Sequence, residues 1–157
     1  MLIRNILYIV GALLLLTVPA KSQDLDSLRA RRDTTLISGE QIELQLEIAY
    51  AISTTDIRGA LVCAKRALNE AEKIASVRWS AEAKLAIGRF YDFLGVNEEA
   101  AAYLIESYTS FVELEDSLKQ AATLTHIGNT YFYLNQFDQA LKKFTMVSEY
   151  GRSLNDT

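Results

Sequence analysis

The side chains with the widest chemical range are scarce: His126 is the only histidine and Cys63 the only cysteine among 157 residues. His126 stands between Thr125 and Ile127 in a helix-patterned stretch. It lacks the acidic residue that follows a phosphoacceptor histidine, and no ATP-binding motif lies downstream. One histidine and one cysteine do not complete a closed metal-ligand set. Cys63 lies among Ala60, Leu61, Ala64 and Ala67 with no histidine or second cysteine nearby, so it reads as a small buried apolar residue, not a reactive thiol. Glu98-Glu99 and the group Glu113, Glu115 and Asp116 suit solvated helix faces better than general acid-base work. There is no glycine-rich phosphate loop and no nucleophile elbow. The sequence therefore leads to an expectation of no catalytic residue, no metal and no cofactor, and of a protein that binds instead of catalysing.

What the chain has in quantity is helical periodicity. Leu124, Ile127, Gly128, Tyr131 and Leu134 form one apolar stripe, and Phe137, Ala140, Leu141, Phe144 and Val147 form another, with Asn135-Gln136 between them. Both stripes carry the spacing of a single helix face. A connection this short forces the two helices antiparallel, as a helical hairpin. Upstream, Leu85, Gly88, Phe90, Tyr91 and Leu94 lead through Gly95-Val96-Asn97 to Ala100, Ala101, Leu104, Tyr108 and Phe111. Earlier still, Leu44, Ile48 and Ala51 are parted by Ser53-Thr54-Thr55-Asp56 from a long stripe running from Ile57 to Ala75. An offset of 40 residues places Gly88 on Gly128, Tyr91 on Tyr131, Leu94 on Leu134, and Ala60 on Ala100 on Ala140. Such in-register self-similarity is the mark of a stacked repeat array, in which each hairpin covers the apolar face of its neighbour. The expected fold is all-α, a solenoid of three antiparallel hairpins at about 37–76, 77–116 and 117–156.

Residues 1–22 are a separate object. Arg4 precedes an apolar run from Ile6 to Val18, thirteen residues, too few for an ordinary membrane span. Pro19-Ala20-Lys21-Ser22 then resembles an export cleavage site before Gln23, so 1–22 reads as a signal peptide and the rest as exported. No cysteine follows the run for lipid attachment. Removing Arg4 and Lys21, with no acids, moves the net charge from -4 to -6. An acidic chain without a basic block is not expected to bind nucleic acid. Contact with a membrane is expected only through an uncleaved signal or a downstream segment. Residues 23–36, polar and with Arg29, Arg31 and Arg32 among them, read as a solvated linker or short leading helix.

The hairpins resemble tetratricopeptide repeats, whose first helix carries a small residue midway and an aromatic three later, and whose second opens on alanine. Leu124, Ile127, Gly128, Tyr131, Ala140 and Phe144 fit that pattern in the third unit, and Ile87, Gly88, Tyr91, Ala100 and Leu104 in the second. The first unit departs, with Ile48 and Ala51 where glycine and the aromatic would stand. The period of 40 exceeds the family's usual ~34. Behind a signal peptide and Asp26-Ser27-Leu28, this longer form is similar to the extracytoplasmic sensor regions of bacterial histidine kinases and related regulators. The resemblance implies a periplasmic or extracytoplasmic region that binds protein or peptide as the sensory N-terminal part of a signal-transduction protein. The alternative is a free-standing periplasmic adaptor or scaffold.

In that family the first helices line a concave groove. Carried over by position, the resemblance nominates Gln45 and Ala49 in the first unit, Arg89, Asp92 and Phe93 in the second, and Thr125, Asn129, Phe132 and Tyr133 in the third. Asn129 would offer its amide to an extended backbone and Arg89 its guanidinium to a carboxylate. The groove lysines of the family's chaperone-tail clamps are missing at the matching positions. The last residues, Ser153 to Thr157, align with the lead-in to the third unit, Glu113 to Ser117, as though a fourth unit were to start. The expectation is a fragment whose final helix leaves an apolar side open and prone to self-association.

Overall fold

A computed structural model of the chain describes residues 39–155 and, upstream of these, Leu25 alone. The expected signal peptide (1–22) and, apart from Leu25, the leading segment (23–36) lie outside the described residues. Helices are α1 (Gly39–Ile52), α2 (Ile57–Lys73), α3 (Val77–Phe93), α4 (Asn97–Glu113), α5 (Ser117–Tyr133) and α6 (Phe137–Asn155). The described residues thus form an all-α array, and each helix packs on the next. In addition the backbones of α1 and α3, and of α3 and α5, come close, whereas those of α2 and α4, and of α4 and α6, do not, although the Tyr108 and Tyr150 side chains reach each other from α4 and α6. The odd-numbered helices are therefore the tighter layer and the inner side of the bend.

The chain closes each helix from α2 to α5 in the same way. Ala75, Gly95, Glu115 and Asn135, spaced by twenty residues, all take left-handed φ angles of 51°, 72°, 55° and 59°. Their N–H groups donate to the carbonyls of Glu72, Asp92, Val112 and Phe132. The next residues, Ser76, Val96, Asp116 and Gln136, donate to Ala71, Tyr91, Phe111 and Tyr131 at 2.9–3.0 Å. This paired pattern is a Schellman motif, and it satisfies carbonyls that a helix end would otherwise leave unpaired. Glycine is the residue that takes this conformation without strain, and only Gly95 is one. Helix starts are secured by side chains at three places: Asp56 Oδ1 accepts from Gly59 N–H (2.8 Å), Ser76 Oγ from Trp79 N–H (3.4 Å) and Asp116 Oδ1 from Lys119 N–H (3.1 Å).

Close approach within hairpins depends on small residues. A Cβ on Gly88 would stand 2.6 Å from Leu104 Cγ and 3.2 Å from the Ala100 carbonyl oxygen; one on Gly128 would stand 2.6 Å from Phe144 Cε1. The first hairpin holds Ile48 and Ala64 at these positions, both buried, with the large residue on the first helix and the small one on the second. In α2, Ala60, Ala64, Ala67 and Ala71 make a fully buried stripe. The middle helix α3 is buried on two sides. Ala83, Ala86, Ile87 and Phe90 join the core of the first hairpin, while Ala81 and Leu85 join that of Leu104, Phe111, Leu124 and Ile127.

Candidate binding groove

The inner layer sets α1, α3 and α5 side by side, and polar side chains stitch them together. At one end Arg78 Nη1 meets Asp116 Oδ2 at 2.9 Å, and Lys119 Nζ meets Glu82 Oε1 at 2.7 Å. Arg78 holds the Asp116 carboxyl below the usual carboxylate range, so the pair stays ionised. Further along, Thr130 Oγ1 lies 3.2 Å from Asp92 Oδ1 and 3.0 Å from the His126 carbonyl, with one proton to share between them. Partial burial pushes the Asp92 carboxyl up, and the Thr130 hydroxyl offsets part of that.

Arg89 turns the other way, toward α1. Its Cζ lies 5.0 Å from the centroid of the Tyr50 ring, a cation-π contact. Burial raises the Tyr50 phenol, while the charge and hydrogen bond of Arg89 pull it back. From α5, His126 comes close enough that Arg89 adds to burial in pushing its pKa down to about 4. The imidazole is therefore neutral at pH 7, with one N–H donor. The Nε of Arg89 is buried without a hydrogen-bond partner.

The nominated positions fall into three groups. Gln45 and Ala49 are not open surface. Gln45 is 2% exposed, and its amide, oriented to satisfy both partners, bridges Arg66 Nε (3.1 Å) and Glu70 Oε2 (2.9 Å) on α2; Ala49 is fully buried in the first hairpin. Arg89, Asp92, Thr125 and Asn129 are half-buried, and Thr125 spends its hydroxyl on the Ala121 carbonyl at 3.0 Å. Phe93, Phe132 and Tyr133 are exposed, Phe93 at 73%. Phe132 sits 6.1 Å from Tyr133 and 5.5 Å from Phe137 between ring centroids, which makes an aromatic edge where α5 turns into α6. Phe93 borders a cavity of about 420 Å³ with Ser53, Thr54, Thr55 and Ile57.

Residue-by-residue reading of the sequence missed Tyr50, Glu82, Lys119 and Thr130, and it set His126 aside as a site. Each reaches its partner across a distance in sequence that no local pattern encodes, 37 residues for Lys119 with Glu82 and 38 for Thr130 with Asp92. A separation close to the repeat period was the one available signal. Among the described residues no group of His, Cys, Asp and Glu is placed to hold a metal ion, and no helix is long and apolar enough to cross a membrane. The arrangement presents hydrogen-bond donors, the ion-paired cations of Arg78 and Lys119, the Arg89 cation over the Tyr50 ring, and exposed aromatic rings. No model of a known protein family matches the chain and no curated protein matches it, so the chemistry of the groove rests on its own residues.

Proposed function

We propose that this chain is a tetratricopeptide-like region that binds protein or peptide along the inner layer of α1, α3 and α5, and that it serves as the exported sensory part of a bacterial signal-transduction protein. The observation that carries the binding reading is the composition of the inner face. Its half-buried polar groups, Arg89, Asp92 and Asn129, run beside the exposed rings of Phe93, Phe132 and Tyr133. Aromatic rings next to directed hydrogen-bond donors are what an extended peptide uses for anchorage and register. The export reading is supported by the pattern of residues 1–22.

Selecting peptides from a displayed library on the full chain tests the groove. Asn129→Ala and Phe132→Ala should each weaken a selected peptide by about tenfold. Val62→Ala, at an exposed position on the outer helix α2, should leave affinity unchanged. Equal losses at both faces, or none, would sink the assignment. The signalling part is tested on the gene beyond codon 157. A membrane span of about 20 apolar residues and an effector domain would support it; an immediate stop would favour the adaptor reading.

A further inference from the structure

We propose that the exposed rings of Phe132, Tyr133 and Phe137, together with the carboxylate of Asp138, take an arginine side chain of the bound peptide where α5 turns into α6. The inference rests on the groove reading for the presence of a peptide, and adds the chemistry of one of its residues. It starts from a difference between the two ends of the array. At the turns between hairpins the protein satisfies its own charges, Arg78 on Asp116 at 2.9 Å and Lys119 on Glu82 at 2.7 Å. The turns within the second and third hairpins carry rings and acids instead. Segments 92–99 and 132–141 hold Asp92, Glu98, Glu99 and Asp138 and no lysine or arginine. In the second of these segments Phe132, Tyr133 and Phe137 are each more than half exposed. Large rings grouped on a surface mark a place that a partner covers.

Ring geometry and charge decide which partner fits. Phe132 stands edge-on to both neighbours, 6.1 Å from Tyr133 at 75° and 5.5 Å from Phe137 at 68° between ring centroids. Rings set at such angles turn their faces in different directions, and each face carries the negative part of the ring quadrupole. A cation is what such a face attracts, arginine more often than lysine. Elsewhere the chain supplies its own cation, Arg89 over Tyr50 at 5.0 Å and Lys65 over Tyr91 at 5.1 Å. Over Phe132, Tyr133 and Phe137 no cation of the described residues lies. The acid complements the rings. Asp138 follows Phe137 in the first turn of α6, is exposed, and makes no ion pair among the described residues, Lys142 one turn further on included. With Phe137, Asn135, Gln136 and Gln139 it borders a cavity of about 330 Å³. A planar guanidinium stacks on a ring and still directs N–H groups in its own plane to a carboxylate, whereas an ammonium has no flat face. An acidic side chain would meet Asp138 at like charge, and an apolar one would leave the carboxylate without a partner.

The test uses the full chain with ¹³C-labelled phenylalanine and tyrosine, at constant ionic strength. It is titrated with N-acetyl-glycyl-arginyl-glycinamide and, separately, with the same peptide carrying citrulline, the neutral isostere of arginine. The arginine peptide should give saturable shifts of the Phe132, Tyr133 and Phe137 ring signals, and the citrulline peptide should bind at least about threefold more weakly. Phe137→Leu keeps an apolar side chain but removes a π face, and Asp138→Asn removes the charge; each should erase most of that preference. Glu72→Gln, an exposed acid at the other end of the array, should keep it. Equal affinity for the two peptides, no saturation up to about 0.1 M, or a loss in Glu72→Gln as large as in Asp138→Asn would overturn the site, the last by showing only a general attraction of an acidic chain for cations. Should Phe137→Leu fail to fold, Asp138→Asn and the comparison of the two peptides on the wild type decide. Library-selected peptides separate this inference from the groove reading. If they lose affinity with Asn129→Ala but not when their arginines become citrulline, the groove stands and the arginine site falls. If the citrulline exchange weakens them while Asn129→Ala does not, the site stands and the groove reading falls.

Discussion

Helices α4 and α6 occupy equivalent places in successive hairpins, yet they live in different surroundings. Leu104 on α4 is fully buried, whereas its counterpart Phe144 on α6 is 37% exposed. Half-buried Ala101 becomes Leu141, at 67%, and buried Ser107, bonded to the Ala81 carbonyl at 2.9 Å, becomes Val147. The difference is α5, which closes over α4 while nothing among the described residues closes over α6. Along the outer side of α6, Asp138, Leu141, Lys142, Thr145, Met146 and Glu149 border an open hollow of about 470 Å³. Burial here is a property of neighbours more than of residue type, as it must be in an array whose stability is a sum of local and nearest-neighbour terms.

The largest test of that contrast lies at its centre. Leu104→Ala should cost about 2–5 kcal/mol, since a fully buried leucine leaves a cavity that α5 and α3 cannot both collapse into. Phe144→Ala, although it removes more atoms, should cost about 1 kcal/mol, because much of the ring never left water. Chemical denaturation of both variants decides it, and equal losses would mean that α6 is covered in solution. The glycines facing these residues make the same point at smaller scale. Gly88→Ala must push against Leu104 and the Ala100 backbone, and should destabilise by about 1–2 kcal/mol after the helix-propensity gain of alanine is counted. Gly128→Ala meets one edge of the Phe144 ring, a side chain with an exposed face to move into, so it should cost less than Gly88→Ala.

How much of this was open to reading in the sequence follows from what is local and what is not. Hairpin turns at Gly95 and Asn135 were visible because those residue types favour a left-handed backbone. Ala75 and Glu115 adopt the same conformation without any such mark; the hydrogen bonds of the motif and the docking of the flanking helices impose it. The 40-residue offset and the Gly88 and Gly128 approaches were legible, since volume at a crossing is written in single residues. Gln45 was not. By position it belonged to the groove, but the first hairpin turns it inward, where Arg66 and Glu70 satisfy its amide. The cluster of Arg89, Tyr50 and His126 draws on three helices, and only assembled units create it.

His126 reports on whether the third hairpin stays docked. In the docked array its pKa lies at about 4, lowered first by burial and then by Arg89; released into water it would return to about 6.5. Since the unfolded chain binds this proton more tightly than the native one, stability should fall as pH drops from about 6.5 toward 4 and stay level above that window. The loss should come to about 1 kcal/mol, because the ring keeps some contact with solvent. His126→Gln should flatten that slope. An imidazole titration by NMR with a midpoint near 6.5 would show the last hairpin undocked at rest, and the contrast between α4 and α6 would then extend to the whole unit.

The smallest effect concerns the turns. Glu115 links two covered helices and holds a left-handed φ of 55° that costs a side-chain-bearing residue about 1 kcal/mol. Glu115→Gly removes that strain at the expense of greater freedom in the unfolded chain, so thermal melts should show a gain of about 0.5 kcal/mol. Asn135→Gly, in the turn that leads into α6, should change little, since asparagine already tolerates this conformation. If α6 frays independently of the rest, its turn adds nothing to the cooperative transition, and any residue there will do. A gain at Asn135 as large as that at Glu115 would instead mean that α6 melts with the array, held by its inner contact with α5 despite the open face on its other side.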